Sequence, residues 1–178
     1  MRTIRPTPLL LLLSLLTASA KTAGAQVLAE PSADRELAAL DTLVDRWHRA
    51  AAVADEETFF GTMSADGVYL GTDASERWLR DSMAVWADPY FQRESAWAFA
   101  PRQRHWGLSD DGRVAWFDEH LDSWMGVVRG SGVLTKVDEP NALGYTWELR
   151  HYNLALAVPN ERMDAVRVAI DSTAVPRG

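Results

Sequence analysis

Two strand-like segments in the second half of the chain constrain the fold more than any other feature. They lie within residues 113–137, and the Asp111-Gly112 pair precedes the first of them. An Asp-Gly pair is a strong signal for a turn between strands. In the second segment Gly130 and Gly132 share one face, and glycines inside a strand mark a bend or the close approach of another group. The pattern predicts a bent β-hairpin that forms a pocket wall.

The first 25 residues have the organisation of a secretory signal peptide. Arg2 and Arg5 give a positive start, residues 9–16 form an apolar core, and the small residues up to Ala20 and up to Ala25 are both typical of cleavage sites. The core is shorter than the roughly 20 residues that span a bilayer. We therefore expect export to the periplasm or the extracellular space, with cleavage after Ala25 preferred, and no membrane attachment afterwards.

The mature chain is acidic. Residues 26–178 hold 15 basic and 25 acidic side chains, a net charge of −10 compared with −7 for the whole sequence. Lys136 is the only lysine among them. This charge argues against nucleic acid or anionic lipid as a partner. The sequence contains no cysteine, which excludes disulfides and cysteine lipidation.

Helices precede most of the predicted strands. Apolar residues at spacings of three and four from Leu37 to Ala54 predict a long amphipathic helix, capped by Ser32. Asp55 is expected to cap a second helix. A brief strand at residues 68–70 follows, and then a third helix. Asp73 and Glu76 have the spacing of a capping box that opens this third helix.

Longer strands and a C-terminal helix complete the chain. Pro101 lies inside the first of these strands, which indicates an edge position or a bulge. Arg102 and Arg104 alternate there and are interpreted as solvent-exposed charges. The predicted domain covers residues 34–172, between a short tether at 26–33 and a tail at 173–178.

This order of elements predicts an α+β fold. Helices grouped before an antiparallel sheet cover one face of it, and a curled sheet closed by helices leaves a conical cavity. Eight tryptophans are spread over the predicted elements. Packing in the core is the simpler interpretation of each, and a cavity lined by flat rings is the alternative.

Several motifs resemble those of SnoaL-like domains, over about residues 36–170. The motifs are Gly71-Thr72-Asp73 with Glu76-Arg77-Trp78, Ala115-Trp116-Phe117-Asp118-Glu119, Arg129-Gly130-Ser131-Gly132-Val133-Leu134 and Tyr152-Asn153-Leu154. The resemblance implies the nuclear transport factor 2-like, or cystatin-like, α+β roll: a cone-shaped, curved antiparallel sheet covered by N-terminal helices. That superfamily includes polyketide cyclases, ketosteroid isomerases and dehydratases, as well as ligand binders and assembly modules, so fold alone does not select a function.

The resemblance also implies a chemistry for the hairpin. Enzymes of this type use one carboxylate in an apolar cavity, where burial raises its pKa, beside a donor that stabilises an enolate. The best match is Asp118 as general base with His120 as donor or relay. If the strand faces are reversed, Glu119 is the pocket carboxylate and Asp118 lies on the surface. A solvated strand face without chemistry also stays open.

The other candidate site residues are aromatic or polar side chains on predicted elements. Arg129 or Asn153 could hold an oxyanion. The candidate ligand-binding residues are Tyr69, Trp78, Trp97, Trp116, Glu119, Arg129 and Asn153. Three histidines also lie near acids on predicted strands, but they lack the local spacing of a zinc motif, so neither a metal nor a cofactor is expected. These histidines are His105, His120 and His151.

Three functions remain, in order of preference. The first is an exported protein that binds a small apolar or aromatic molecule without transforming it. The second is a lyase or isomerase of the polyketide-cyclase or ketosteroid-isomerase type, with a buried carboxylate as general base. The third is a self-association module with a filled cavity and an exposed apolar sheet face. Homodimers are frequent in families of this kind, so a homodimer is the default expectation.

Overall fold

The computed structural model of the protein describes residues 32–173, with side chains to residue 170. The predicted signal peptide, almost all of the tether and most of the tail lie outside this range. No helix within it combines the length and apolar character needed to cross a membrane. The elements are α1 (Ala33–Ala52), α2 (Glu56–Thr62), β1 (Met63–Leu70), β2 (Arg77–Leu79), α3 (Arg80–Phe91), β3 (Ala100–Leu108), β4 (Val114–Ser123), β5 (Gly126–Asp138), β6 (Tyr145–Leu156), a 3-10 turn (Asn160–Arg162) and α4 (Met163–Thr173).

A curved, unclosed sheet of six strands carries the fold, in the order β2-β1-β6-β5-β4-β3. Neighbouring strands run antiparallel except for β1 and β6, which are parallel. The N-terminal helices pack against the inner face of the sheet. The predicted α+β architecture is confirmed, and its parallel pair arises because the chain returns to β1 only after building the other half of the sheet.

The buried stripe of α1 is the one that the spacing of apolar residues predicts. Leu40, Val44 and Trp47 are each at most 1% exposed. The Trp47 ring stacks on Phe59 of α2 with centroids 4.9 Å apart, and its Nε1 donates to the Phe59 carbonyl at 3.2 Å. Helix α2 begins as predicted, with Asp55 Oδ1 accepting from the backbone N–H of residue 58 at 3.0 Å. By contrast, the Ser32 side chain makes no capping hydrogen bond to α1.

The third helix begins later than the capping-box spacing predicts. The Asp73 N–H donates to Glu76 Oε2 at 3.1 Å, so the predicted side-chain contact is made. It closes a turn between two strands, because the Gly71 N–H donates to the Glu76 carbonyl at 2.9 Å and β2 then pairs with β1. Trp78 and Leu79 therefore belong to β2, and α3 starts at Arg80.

Gly130 and Gly132 of β5 mark a close approach, as predicted. Both face the interior. A Cβ atom at Gly132 would lie 2.6 Å from the Phe117 ring, and one at Gly130 would lie 2.2 Å from the Tyr152 hydroxyl. Since real Cβ atoms do not approach other groups so closely, these two positions let the interior side chains of β4 and β6 lie against the β5 backbone.

Candidate functional site

A fully buried carboxylate lies on the inner face of the sheet, on the strand next to the β3 edge. Glu119 of β4 is 1% exposed and points inward. Its Oε1 accepts from His48 Nε2 at 2.7 Å and from the Tyr152 hydroxyl at 3.0 Å. Its Oε2 accepts from Arg104 Nε at 2.9 Å. These four side chains form what we call the Glu119 cluster, which joins α1, β3, β4 and β6.

The electrostatics of the Glu119 cluster keep the carboxylate ionised. Burial acts to raise the pKa of Glu119, but the hydrogen bond and charge of His48, with those of Arg104, outweigh it and hold that pKa below its ordinary value. Burial, followed by the charge of Glu119, raises the pKa of Tyr152 well above its ordinary value, so this phenol stays a neutral donor. A general base that works near pH 7 needs the opposite shift and access to a substrate.

Arg104 is buried, and its interpretation as a solvent-exposed charge is wrong. Its side chain is 6% exposed, and its Nη1 donates to Asp41 Oδ1 at 2.8 Å. β3 is an edge strand with an irregularity between Pro101 and Gln103, as the proline indicated. The bulge breaks the alternation, so Arg104 lies opposite Glu119 while Arg102 turns outward.

The outer face of the sheet carries Asp118 and His120, which the sequence predicts as general base and donor. Asp118 is exposed there, as the reversed arrangement of the strand requires. His120 also faces outward, and Arg129 Nη2 donates to its Nε2 at 3.2 Å. Trp116 is half exposed on this side, and Asn153 pairs with Ser131 of β5. None of these side chains reaches the interior, so the structure does not bring them together with Glu119.

A second feature of the interior is a small cavity beneath α3, of about 90 Å³. We call it the aromatic pocket, because five aromatic side chains and one carboxylate line it: Tyr69, Trp78, Trp86, Trp97, Phe99 and Glu76. Met83 and Leu154 add to its apolar lining. Three of the predicted ligand-binding residues meet here, namely Tyr69, Trp78 and Trp97.

The aromatic pocket has polar groups in its lining, among them Glu76 and Tyr69. Glu76 lies against the backbone of Gly71, where a Cβ atom would be 2.1 Å from its Oε2. Burial raises the pKa of Tyr69, and the negative charge of Glu76 raises it further. Glu76 and Tyr69 both line this one small cavity.

Aromatic rings separate the aromatic pocket from the Glu119 cluster. The Tyr69 and Tyr152 rings are 5.4 Å apart, and the Phe99 and His48 rings are 6.4 Å apart. The two features are thus neighbours in one interior, but the wall between them keeps the Glu119 carboxylate out of the cavity.

Sequence reasoning missed several of these residues. His48 follows Leu40 and Val44 at steps of four, so the helical spacing places it in the buried stripe of α1 and was a usable signal. Tyr152 belongs to one of the family-like motifs, but the motif by itself indicates no role for its side chain. Across residues 32–173, no group of three or more acidic or histidine side chains is arranged to hold a metal ion.

A curved sheet covered by helices, with a polar cluster and an aromatic pocket inside, defines the class of cone-shaped α+β proteins. The model of the SnoaL-like domain family matches residues 40–159, which is more than half of the sequence. The chain therefore belongs to the SnoaL-like domain family. No curated protein matches it.

Solved structures support the fold. A nuclear transport factor 2-like protein of unknown function from Pseudomonas putida KT2440 is 12% identical, with a TM-score of 0.54 over 74% of this chain and 93% of that one. A nuclear transport factor 2-like protein with a cystatin-like fold from Novosphingobium aromaticivorans is 16% identical, with a TM-score of 0.53 over 74% and 88%. A protein of unknown function with a cystatin-like fold from Nostoc punctiforme is 12% identical, with a TM-score of 0.54 over 72% and 95%.

Proposed function

We propose that this protein is exported and binds a small apolar or aromatic molecule in the aromatic pocket without transforming it. The observation that carries the proposal is the convergence of five aromatic side chains on one cavity beneath α3. Pockets for small molecules are lined mainly by apolar and aromatic side chains, with a few polar groups that fix orientation. The aromatic pocket has this composition.

The size of the cavity limits what it can hold. Its volume of about 90 Å³ corresponds to roughly three water molecules, and pockets for drug-sized ligands exceed about 300 Å³. The ligand is therefore a small molecule, or one end of a larger molecule. Trp86, which is 37% exposed and stacks on Trp78 with centroids 5.3 Å apart, is the most exposed ring of the lining and lies where a larger ligand would extend towards solvent.

Binding without turnover is preferred because neither of the two predicted bases, Glu119 and Asp118, is arranged as one. Glu119 is enclosed, accepts hydrogen bonds from three side chains and has a pKa below its ordinary value. The enzyme alternative requires a carboxyl whose pKa is raised and which reaches the substrate. Asp118, the other candidate base, lies on the solvent-exposed face.

The proposal is tested by comparing native and denaturing mass spectra of the protein purified after expression of the full chain. A small mass that is retained in the native spectrum and lost on denaturation is the expected result. The Trp78→Ala variant should lose most of this mass, because it removes a wall of the pocket. Trp124→Ala is the matched control, since Trp124 is 85% exposed and does not line the pocket.

An adduct that persists equally in both variants would place the ligand elsewhere and contradict the proposal. If no adduct co-purifies, a screen of small aromatic and aliphatic compounds by ligand-observed NMR takes its place. A screen in which no compound distinguishes the wild type from Trp78→Ala would also count against it.

A further inference from the structure

Glu76 is a carboxylate without a cation. It lines the aromatic pocket, is only partly exposed, and makes no ion pair with any residue in the described part of the chain. Its hydrogen bond goes to the backbone N–H of Asp73. This contrasts with Glu119 and Glu36, the other inward-facing acids, which are held by Arg104 and Lys136 respectively.

The Tyr69 hydroxyl is a second polar group in the lining of the pocket. Tyr69 is 6% exposed, and its hydroxyl has no hydrogen-bonding partner among the described residues. The hydroxyl oxygen is not fully enclosed by protein atoms, so it keeps access to the cavity. A buried hydroxyl normally finds a partner, and one facing a cavity is available to a ligand.

On the basis of the proposed function, we propose further that the ligand is an organic ammonium ion, a protonated amine with a small apolar body. Its N–H groups donate to the Glu76 carboxylate and the Tyr69 oxygen, while the tryptophan rings surround the body. Charge-assisted hydrogen bonds and the negative faces of aromatic rings both favour a cation at such a place.

The other charge classes fit less well. An anionic ligand would meet the Glu76 carboxylate at close range, where like charges repel strongly in an apolar surrounding. A neutral apolar ligand would cover Glu76 and displace its water without replacing the lost hydrogen bonds. The net charge of −7 for the whole sequence also attracts cations to the protein.

Three probes of nearly the same shape test the charge of the ligand: isobutylamine, isobutanol and isobutyrate. Each is titrated at pH 7 into the purified protein, and binding is followed by NMR of the tryptophan indole N–H groups. We expect the amine to bind about tenfold more tightly than the alcohol, and the carboxylate to show no saturable binding.

Two variants assign this preference to the pocket. Glu76→Gln keeps the shape and the acceptor oxygen of the side chain, and should make amine and alcohol bind equally. Tyr69→Phe keeps the ring and should weaken the amine several-fold, because it removes one of the two acceptors for the ammonium N–H groups. Glu94→Gln is the matched control, because it removes one charge from an exposed position outside the pocket. It should leave the preference for the amine intact.

The outcomes separate this inference from the proposed function. Equal binding of amine and alcohol to the wild type would overturn the ammonium ligand and leave a pocket that binds small molecules. A preference that survives in Glu76→Gln, or is lost in Glu94→Gln, would also overturn it. Binding of none of the three probes would overturn the ammonium ligand, and the mass spectra and the compound screen would then decide the proposed function separately.

Discussion

Glu119 holds together parts of the chain that are far apart in sequence. Its partners are His48 on α1, Arg104 on β3 and Tyr152 on β6. Replacing one member of a buried ionic network leaves the others desolvated and without partners, which costs far more than the net contribution of the intact network. The cluster is therefore expected to act on stability and on the packing of α1 against the sheet.

Glu119→Gln tests this expectation. The substitution keeps the shape but removes the charge that offsets His48 and Arg104, so the free energy of unfolding should fall by about 3–5 kcal/mol. Asp118→Asn is the matched control, because the neighbouring residue lies exposed on the opposite face and should change stability by at most about 0.5 kcal/mol. Urea unfolding followed by tryptophan fluorescence measures both values. Equal losses of stability in the two variants would show that the charge of Glu119 does not hold the cluster together.

The lowered pKa of Glu119 also makes a prediction about acid stability. A carboxyl whose pKa is lower in the folded than in the unfolded state contributes its full stabilisation above the unfolded value, here about 4.5, and loses it as pH falls through the folded pKa. The wild type should therefore lose stability below about pH 4.5 more steeply than Glu119→Gln, which lacks this group.

Urea unfolding curves at several pH values between neutrality and the acid limit measure this difference. Because both proteins share every other carboxyl group, subtracting one pH profile from the other isolates the contribution of Glu119. Parallel profiles would contradict the lowered pKa.

Strand alternation limits what could be predicted at this scale. It places Asp118 and Glu119 on opposite faces of β4. It does not show which face is buried, because the face with Asp118 also carries Val114 and Trp116, while Glu119 lies on the otherwise apolar face. Only the packing of the helices onto the sheet decides between the two faces. Tyr69, Trp78 and Trp97 could be predicted as cavity-lining residues because aromatic side chains on predicted elements are good candidates for such a lining.

At the scale of elements, a local motif predicts the contact within the motif better than it predicts whether a helix or a strand follows. The Asp73–Glu76 contact forms, yet it closes the turn between β1 and β2 instead of opening a helix. The pairing of β2 with β1 is a long-range choice that a four-residue motif does not contain. In the same way, the bulge near Pro101 was foreseen while its consequence, the inward turn of Arg104, was not.

The β5 glycines give a prediction for one strand. A Cβ atom at Gly130 would lie 2.2 Å from the Tyr152 hydroxyl and 2.7 Å from Glu119 Oε1, so Gly130→Ala must displace part of the Glu119 cluster. We expect a loss of about 1–3 kcal/mol in the free energy of unfolding. Ser131→Ala, which changes the next residue on the outer face, should cost at most about 0.5 kcal/mol. Thermal and urea unfolding check both, and a neutral Gly130→Ala would show that the interior has room there.

At the scale of the whole molecule, the family could be identified from the sequence but the role could not. The motifs that identify the SnoaL-like domain lie mainly on β4, β5 and β6, where they build the sheet. Half of the residues that line the aromatic pocket also belong to these motifs, namely Gly71, Thr72, Glu76, Trp78 and Leu154. The other half come from β1, α3 and the segment before β3, and a family match does not by itself name the ligand that they hold. The outer face of β4 presents Asp118, His120 and Asp122 beside Trp116, a mixed surface and not the apolar one that a self-association module predicts.

The N-terminal signal-like sequence predicts export, which can be tested directly. The full chain, expressed in a bacterium with a secretion pathway, should be recovered outside the cytoplasm with its N-terminus at Gln26, or at Lys21 if cleavage follows Ala20. Leu12→Arg places a charge in the apolar core of the predicted signal peptide and should leave the uncleaved precursor in the cytoplasm. The intact mass of each fraction measures both results, and the native spectrum of the mature protein tests the expected homodimer at the same time. A full-length wild-type protein that stays in the cytoplasm would contradict export, and the ligand would then have to be sought among cytoplasmic molecules.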